Sequence, residues 1–318
     1  MGACSVLGQF FPSKPTWSVD EIPDLTGQVM LVTGGNAGIG RETVKVLLEH
    51  NAKVYIAGRN ESKCIEAIKD IEVQTGKRAE FLQLDLSDLA SVKKAAEEFM
   101  RRETRLNVLF NNAGVMWPPM DMMTAQKFDL QFGTNTLGPF YFTKLVLPLL
   151  TATAASTGTK VRIVNTASLT GELHPQADGV NYDTLFDGPA RRKKDKGYLY
   201  GQSKLGNILV SNELARRYTD EGIISIALNP GNLRTELARH EKNPVKMGVI
   251  ALLRYPVQLG ALTQLWAGTM KEAEELNGGY LIPWARIGEM PPAAADLAAG
   301  KALWTWLEEQ VERFEAGN

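Results

Sequence analysis

The sequence predicts an α/β fold: a doubly wound parallel sheet of about seven strands with helices on both faces. Three observations predict it. Short apolar, β-branched runs alternate with segments whose apolar residues recur at helical spacing. The segments between runs are long enough for a crossover helix, so neighbouring strands pair in parallel through right-handed βαβ units. No Pro/Ser-rich linker, composition shift or internal repeat divides the chain. Residues 26–318 therefore read as one domain, preceded by an N-terminal arm over 1–25 that packs on it.

The elements follow in order. "GQVMLVTGG" (27–35) is a strand ending in glycines, and "RETVKVLLEH" (41–50) a helix with Val44, Leu47 and Leu48 on one side. "AKVYIAGR" (52–59) is the second strand, followed by a helix carrying Ile65, Ile68 and Ile71 on one face. "AEFLQLDL" (79–86) and "LNVLFNNAG" (106–114) are the third and fourth strands, separated by the helix "LASVKKAAEEFMRR". An apolar helix over 136–150 leads to the fifth strand, "KVRIVNTAS" (160–168). The helix "YGQSKLGNILVSNELARRY" precedes the sixth, "IISIALNPG" (223–231), and "GGYLIPWA" (278–285) is the seventh. Two stretches break the alternation, 169–197 and 234–277. Both follow strand C-termini, the edge where open α/β sheets bind ligands, so both are expected to wall the substrate side.

Composition excludes several classes. The 318 residues are 44% hydrophobic and 22% charged with a net charge of −1, which offers no bulk attraction for nucleic acid or an anionic membrane. The three histidines have no metal-ligand spacing, so no metal is expected. Cys4 and Cys64 form no CxxC, and no secretory signal is visible, which points to a reducing, cytoplasmic setting. Gly2 invites N-myristoylation, but Val6 stands where that motif wants Ser or Thr. The most apolar later stretch is broken by Arg254, Pro256, Gln258 and Gln264, so no transmembrane segment is expected. "RRKKDK" (191–196) reads as a solvated basic loop.

The chemistry-bearing stretches sit at strand ends. "TGGNAGIG" (33–40) joins a strand to a helix: Gly34 permits the tight turn, while Gly38 and Gly40 let backbone and helix approach a pyrophosphate at the helix N-terminus. After the second strand, Gly58 stands where an NAD binder carries a ribose-binding carboxylate, and Arg59 follows. Arg59 would pair with a 2′-phosphate, which favours NADP(H) over NAD(H); the other reading is a solvated loop arginine. Asn36, Asn60 and Arg41 are candidate helpers. Asp85 either accepts from an adenine amino group or starts the turn into the next helix. "NNAG" (111–114) either lines a cofactor or holds a backbone kink. Lys204 lies one helical turn beyond Tyr200, whereas Tyr198 has uncharged Gln202 at that spacing, so Tyr200 is the candidate chemical residue.

Together "TGGNAGIG", "NNAG", "NTAS", "YGQSK" and "NPGNLRTEL" resemble, in order and on the expected elements, the short-chain dehydrogenase/reductase family. The likeness covers roughly residues 26 to 290; the insertion and "YGQSKLGNILVSNELARR" are most similar to the retinol-dehydrogenase-like branch. It implies a Rossmann-type sheet and a catalytic tetrad of Asn135, Ser168, Tyr200 and Lys204. It implies cofactor contacts from Gly34, Asn36, Gly38, Ile39, Gly40, Arg59, Asp85, Leu86, Asn112, Ala113 and Gly114. Further contacts fall to Tyr200, Lys204, Pro230, Gly231, Leu233 and Thr235. The gap between Ser168 and Tyr200 exceeds that of the commonest members.

The expected chemistry is hydride transfer between nicotinamide and a carbonyl or alcohol. Tyr200 would act as acid/base, its phenol drawn toward neutrality by Lys204 and the oxidised nicotinamide. Ser168 would donate to the carbonyl oxygen, and Asn135 would hold a water or a backbone kink beside Lys204. Trp117, Pro118, Met120, Met122, Met123, Leu173, Phe186, Tyr255, Trp266 and Trp284 suggest apolar walls and a small lipophilic substrate, although many of them would serve equally as core. The alternatives are an NAD(H)-dependent alcohol dehydrogenase and a non-catalytic NADP(H) sensor or scaffold. A homodimer through the helices at 136–150 and 200–218 is open, as is a monomer.

Overall fold

Eight strands form one sheet: β1 (Val29–Thr33), β2 (Lys53–Gly58), β3 (Glu80–Gln83), β4 (Val108–Asn111), β5 (Val161–Thr166), β6 (Ile223–Leu228), β7 (Tyr280–Ile282) and β8 (Arg286–Gly288). Their order is β3-β2-β1-β4-β5-β6-β7-β8. The first seven run parallel and β8 pairs antiparallel with β7. The computed structural model describes residues 3–174, 179–233, 237 and 255–317. The seven parallel strands are those the sequence predicts, and β8 is an addition. The chain reverses at Pro283–Ala285, where Ala285 has a φ of 54°, and three residues suffice to cover the sheet's outer edge. Strands β1, β4, β5 and β6 are buried along their whole length, as continuous apolar runs covered on both faces must be.

The helices named here are α1 (Ala3–Phe10), α2 (Gly38–Glu49), α3 (Glu61–Thr75), α4 (Leu89–Arg102), α5 (Gly138–Thr157), α6 (Leu169–Glu172), α7 (Lys196–Tyr218), α8 (Val257–Thr269) and α9 (Leu297–Ala316). One face of the sheet packs α2, α3 and α8 through Val44, Leu47, Ile68, Ile71, Leu262 and Leu265. The other packs α4, α5 and α7 through Val92, Phe99, Phe140, Val146, Leu205 and Ile208. Fully burying each such side chain contributes about 1.5–3 kcal/mol. Helix ends follow their capping residues: Asn60 accepts from Lys63 N–H, Asp88 from Ala90 N–H, and Gly76 ends α3 in the left-handed region.

Both expected substrate-side stretches prove more structured. Helix α8 is a layer of the core: Gln264 bonds Thr43 and Thr166, and a Cβ on Gly268 would lie 2.4 Å from the Phe110 ring. Residues 257–269 thus pack as a layer of the core, and most of 234–254 lies outside the described residues. The 169–197 stretch is pinned by Arg191, whose Nε donates to Asp129 Oδ2 at 2.9 Å and whose Nη1 donates to Met120 O at 2.6 Å. Arg191 and Asp129 are both buried, at 2% and 1% exposure, so the basic run is not wholly solvated. Phe186, 39% exposed, packs its ring on Phe128 and Trp306.

Candidate active site

The chain's functional side chains gather at the C-terminal ends of β1, β4, β5 and β6, where the strand order reverses between β1 and β4. After β1, Gly34 has a φ of 66°, and a Cβ there would meet Ala113 Cα at 3.1 Å. Gly38 has a φ of 53°. A Cβ on Gly40 would lie 2.5 Å from both Gly34 O and Asn112 Nδ2, so this glycine serves close packing of α2 on the strand ends. Ala37 caps α2 without a side-chain hydrogen bond, which leaves the first N–H groups of a 12-residue helix available to an anion. Asn36 lies beside the end of β2, its Oδ1 3.4 Å from where a Gly58 Cβ would be.

Arg59 follows β2 at the surface, and among the described residues it forms no ion pair. Two of its three expected helpers are engaged elsewhere. Arg41 pairs with Asp70 at 3.1 Å, and Asn60 caps α3. Asp85 Oδ1 accepts from the Ser87 N–H and hydroxyl, so one oxygen holds the turn toward α4 while the other is left over. Leu86 is buried beneath α5: a Cβ on Gly138 would lie 2.3 Å from its carbonyl oxygen.

Beyond β4, Thr33 Oγ1 accepts from the N–H groups of Asn112 and Ala113 at 3.0 Å each, which draws this turn against β1. Asn112 Nδ2 donates to Thr33 O, while its Oδ1 is buried without a partner. Gly114 is the point of closest approach to the tetrad. A Cβ there would sit 3.1 Å from Asn135 Oδ1 and 3.4 Å from Lys204 Nζ. Asn135, in the π-helical turn Gly133–Leu137, clamps one residue at both ends. Its Oδ1 accepts from Val115 N–H at 2.8 Å, and its Nδ2 donates to Val115 O at 3.0 Å and to Ser203 Oγ at 2.9 Å. These bonds hold the backbone next to Gly114.

Ser168 follows β5 and caps α6. Its Oγ accepts from Thr170 N–H at 3.2 Å and from the Thr170 hydroxyl at 3.0 Å, which leaves its own O–H as the donor. Tyr200 is 3% exposed in α7, and its ring centroid is 5.9 Å from Lys204 Nζ. Burial pushes the phenol upward, and a hydrogen bond with Ser168 works against that rise. This is opposite to the lowering expected from Lys204. Lys204 is 4% exposed and pushed down to about 8 by burial, and it donates to Thr166 O at 2.8 Å. Two of its three donors remain. Tyr198 instead stacks edge-on against His174, with Lys194 Nζ 4.1 Å from its ring.

After β6, Gly231 has a φ of 85° and donates its N–H to Asn229 Oδ1 at 3.0 Å. A Cβ on it would lie 2.9 Å from the Trp284 ring, which leaves glycine the only residue that fits. Pro230 precedes it. Leu233 pairs with Tyr255, and a Cβ on Gly260 would touch both Leu233 and Ile39, so these two side chains meet over the start of α2. Thr235 lies outside the described residues. The site thus brings Asn135, Ser168, Tyr200, Lys204 and Gly114 together, with the glycine turn and helix N-terminus beside them. The unpartnered Asn112 Oδ1, the uncapped α2 N-terminus and the two remaining Lys204 donors fit a dinucleotide laid across the strand ends. Among the described residues no three His, Cys, Asp or Glu gather to hold a metal ion.

Sequence reasoning missed Gln9, Glu172 and Asn229, which join the N-terminal helix to this site; no local spacing signals such a contact.

A family model described as short chain dehydrogenase matches residues 28–184. A short-chain dehydrogenase/reductase of Armillaria gallica is 52% identical over 310 residues, covering 98% of each chain. One from Phomopsis amygdali is 39% identical over 96% of each. Among solved structures, an uncharacterised protein from Mycobacterium paratuberculosis matches with a TM-score of 0.68 at 27% identity, covering 92% of this chain and 96% of that one. The fold is shared too with Pseudomonas aeruginosa RhlG in an NADP active-site complex, with a TM-score of 0.64, 24% identity, and coverage of 81% and 95%. A Brucella melitensis 3-ketoacyl-(acyl-carrier-protein) reductase complexed with NADH shares it at a TM-score of 0.63, 23% identity, and coverage of 82% and 99%.

Proposed function

The chain belongs to the short-chain dehydrogenase/reductase family, and from that premise we propose that it is an NADP(H)-dependent oxidoreductase acting on a lipophilic carbonyl or alcohol. The observation that carries this reading is the convergence on Tyr200 of the Ser168 hydrogen bond and the buried Lys204 ammonium. The bound dinucleotide supplies or accepts the hydride. Tyr200, its proton held by burial, is the acid that protonates the oxygen of a reduced carbonyl. Ser168, its lone pairs occupied by Thr170, has only its O–H to give: without substrate it donates to Tyr200, and with substrate it would turn to the carbonyl oxygen and stabilise the charge that develops there. Lys204 would hold the nicotinamide ribose with its remaining donors, and its positive charge would favour the phenolate in the reverse direction. Asn135 fixes the Val115 backbone through both its N–H and its carbonyl.

Arg59, exposed and outside any ion pair among the described residues, supports the 2′-phosphate of NADP(H). Relatives of the fold that hold NADP and NADH support a nicotinamide nucleotide without choosing between them. The assignment to a retinol-dehydrogenase-like branch, the lipophilic substrate and a cytoplasmic setting belong to the same proposal. Among the described residues no helix is long and apolar enough to cross a membrane.

The test follows absorbance at 340 nm with NADPH or NADH over apolar aldehydes, ketones and quinones. Tyr200→Phe is expected to lower turnover by at least about 100-fold with NADPH binding intact. Arg59→Asp is expected to shift preference toward NADH. Equal use of both cofactors by the wild type would overturn the NADP(H) assignment. Unchanged turnover by Tyr200→Phe would overturn the acid/base assignment.

A further inference from the structure

Gln9 of α1 is 2% exposed and lies between two elements that bound the candidate site. Its Nε2 donates to Glu172 Oε2 at 2.7 Å, and its Oε1 accepts from Asn229 Nδ2 at 2.7 Å. Glu172 closes α6, the helix that Ser168 caps. Asn229 opens the turn carrying Pro230 and Gly231, and its Oδ1 accepts from the Gly231 N–H at 3.0 Å. On β7, the Tyr280 hydroxyl donates to the other Glu172 oxygen at 2.5 Å. Glu172 is 8% exposed, and no ion pair reaches it among the described residues.

The chain of bonds has a direction, and Glu172 sets it. An ionised carboxylate only accepts. Gln9 must therefore turn its NH₂ toward Glu172 and its oxygen toward Asn229. Asn229 must then turn its NH₂ toward Gln9 and its oxygen toward the Gly231 N–H. Reversing either amide would set donor against donor or acceptor against acceptor in a buried place. A charge on α6 thereby decides how the Gly231 peptide is held across a gap bridged by the N-terminal helix. Further contacts seat the helix: Arg286 reaches Gly8 O and Ser13 Oγ, and the Tyr255 hydroxyl donates to Phe10 O.

We propose that Gln9 is a positioning residue for the nicotinamide half of the cofactor, setting the Asn229–Gly231 turn against the Ser168-capped helix. The inference rests on the NADP(H) reading of the site and adds to it an element outside the tetrad.

The experiment measures affinity of the full chain for NADPH and for adenosine 2′,5′-bisphosphate, which carries the phosphorylated adenosine half without nicotinamide. Gln9→Glu sets two acceptors face to face, whereas Glu172→Gln can keep its oxygen toward Gln9 and give its NH₂ to the Tyr280 hydroxyl, which preserves the directed chain. Gln9→Glu is expected to weaken NADPH about tenfold and leave adenosine 2′,5′-bisphosphate unchanged, and Glu172→Gln to bind both within about twofold of wild type. The exchange Gln9→Glu with Glu172→Gln rebuilds a directed chain: the amide now on α6 donates to the carboxylate now on α1, which accepts from Asn229. That double variant is expected to return NADPH affinity to within about twofold of wild type. A Gln9→Glu variant that binds NADPH normally overturns the proposal, as does one that loses both ligands equally or an exchange that restores nothing. A wild type that binds neither ligand overturns the NADP(H) reading itself, a result distinct from these.

Discussion

Tyr200 and Lys204 share one turn of a helix, and burial drives their proton equilibria in opposite directions. The phenol is pushed up and the ammonium down to about 8. Their pairing was legible because the i,i+4 spacing singles out Tyr200 over Tyr198. Their energetics were not, because desolvation depends on what the rest of the chain lays over the pair. Lys204 holds its proton less firmly folded than unfolded, where its ordinary value is 10.5. The unfolded chain therefore carries more protons across this window, and stability rises with pH from about 8 to 10.5. The gain is full above the upper value and is lost as pH falls through the lower one; its size is roughly 3 kcal/mol. Melting temperatures of wild type and Lys204→Met, compared from pH ~7.5 to ~10, are expected to diverge, with wild type gaining on the variant as pH rises. A constant difference would show that Lys204 does not carry the effect.

At the scale of elements, the parallel strands were readable because each is a short apolar run, β-branched in all but β3, closed by a turn or a helix cap. Strand β8 was not, since three residues at an edge carry no alternation. Helix α8 was legible as an apolar helix, but that it completes a core layer was not, because only its packing on α2 shows it. The Gln9 chain was hidden for a different reason: its partners lie 163 and 220 residues away. The buried Arg191–Asp129 pair tethers the 169–197 stretch to the loop before α5, and Asp129 also accepts from Gln131 and Phe132 N–H groups. Arg191→Ala leaves that carboxylate buried without its cation and is expected to destabilise the fold by about 3–5 kcal/mol. Denaturant midpoints measure it, and a change below about 1 kcal/mol would place the tether among surface-like pairs.

Over the whole molecule, α9 occupies the outer faces of α5 and α7, the two helices a homodimer would be expected to use. Trp304 is 1% exposed, stacks on Phe140 at 5.0 Å, and has the Arg217 guanidinium 4.5 Å from its ring. Lys144 pairs with Glu308 at 2.9 Å, and Glu315 reaches both Lys93 and Tyr141. With those faces covered, the protein is expected to be a monomer by light scattering at micromolar concentration. Truncation after residue 296 should expose the patch and raise the measured mass or cause aggregation. A wild-type dimer would mean that pairing uses another surface. The Gln9 chain has a consequence in time as well as in space. Helix α1 is the first described element to leave the ribosome, yet its partners Glu172, Asn229 and Tyr280 are made far later. Through most of synthesis the N-terminal helix waits with its glutamine unmatched while the sheet is built behind it. One side of the site therefore waits on a segment made long before the partners that hold it.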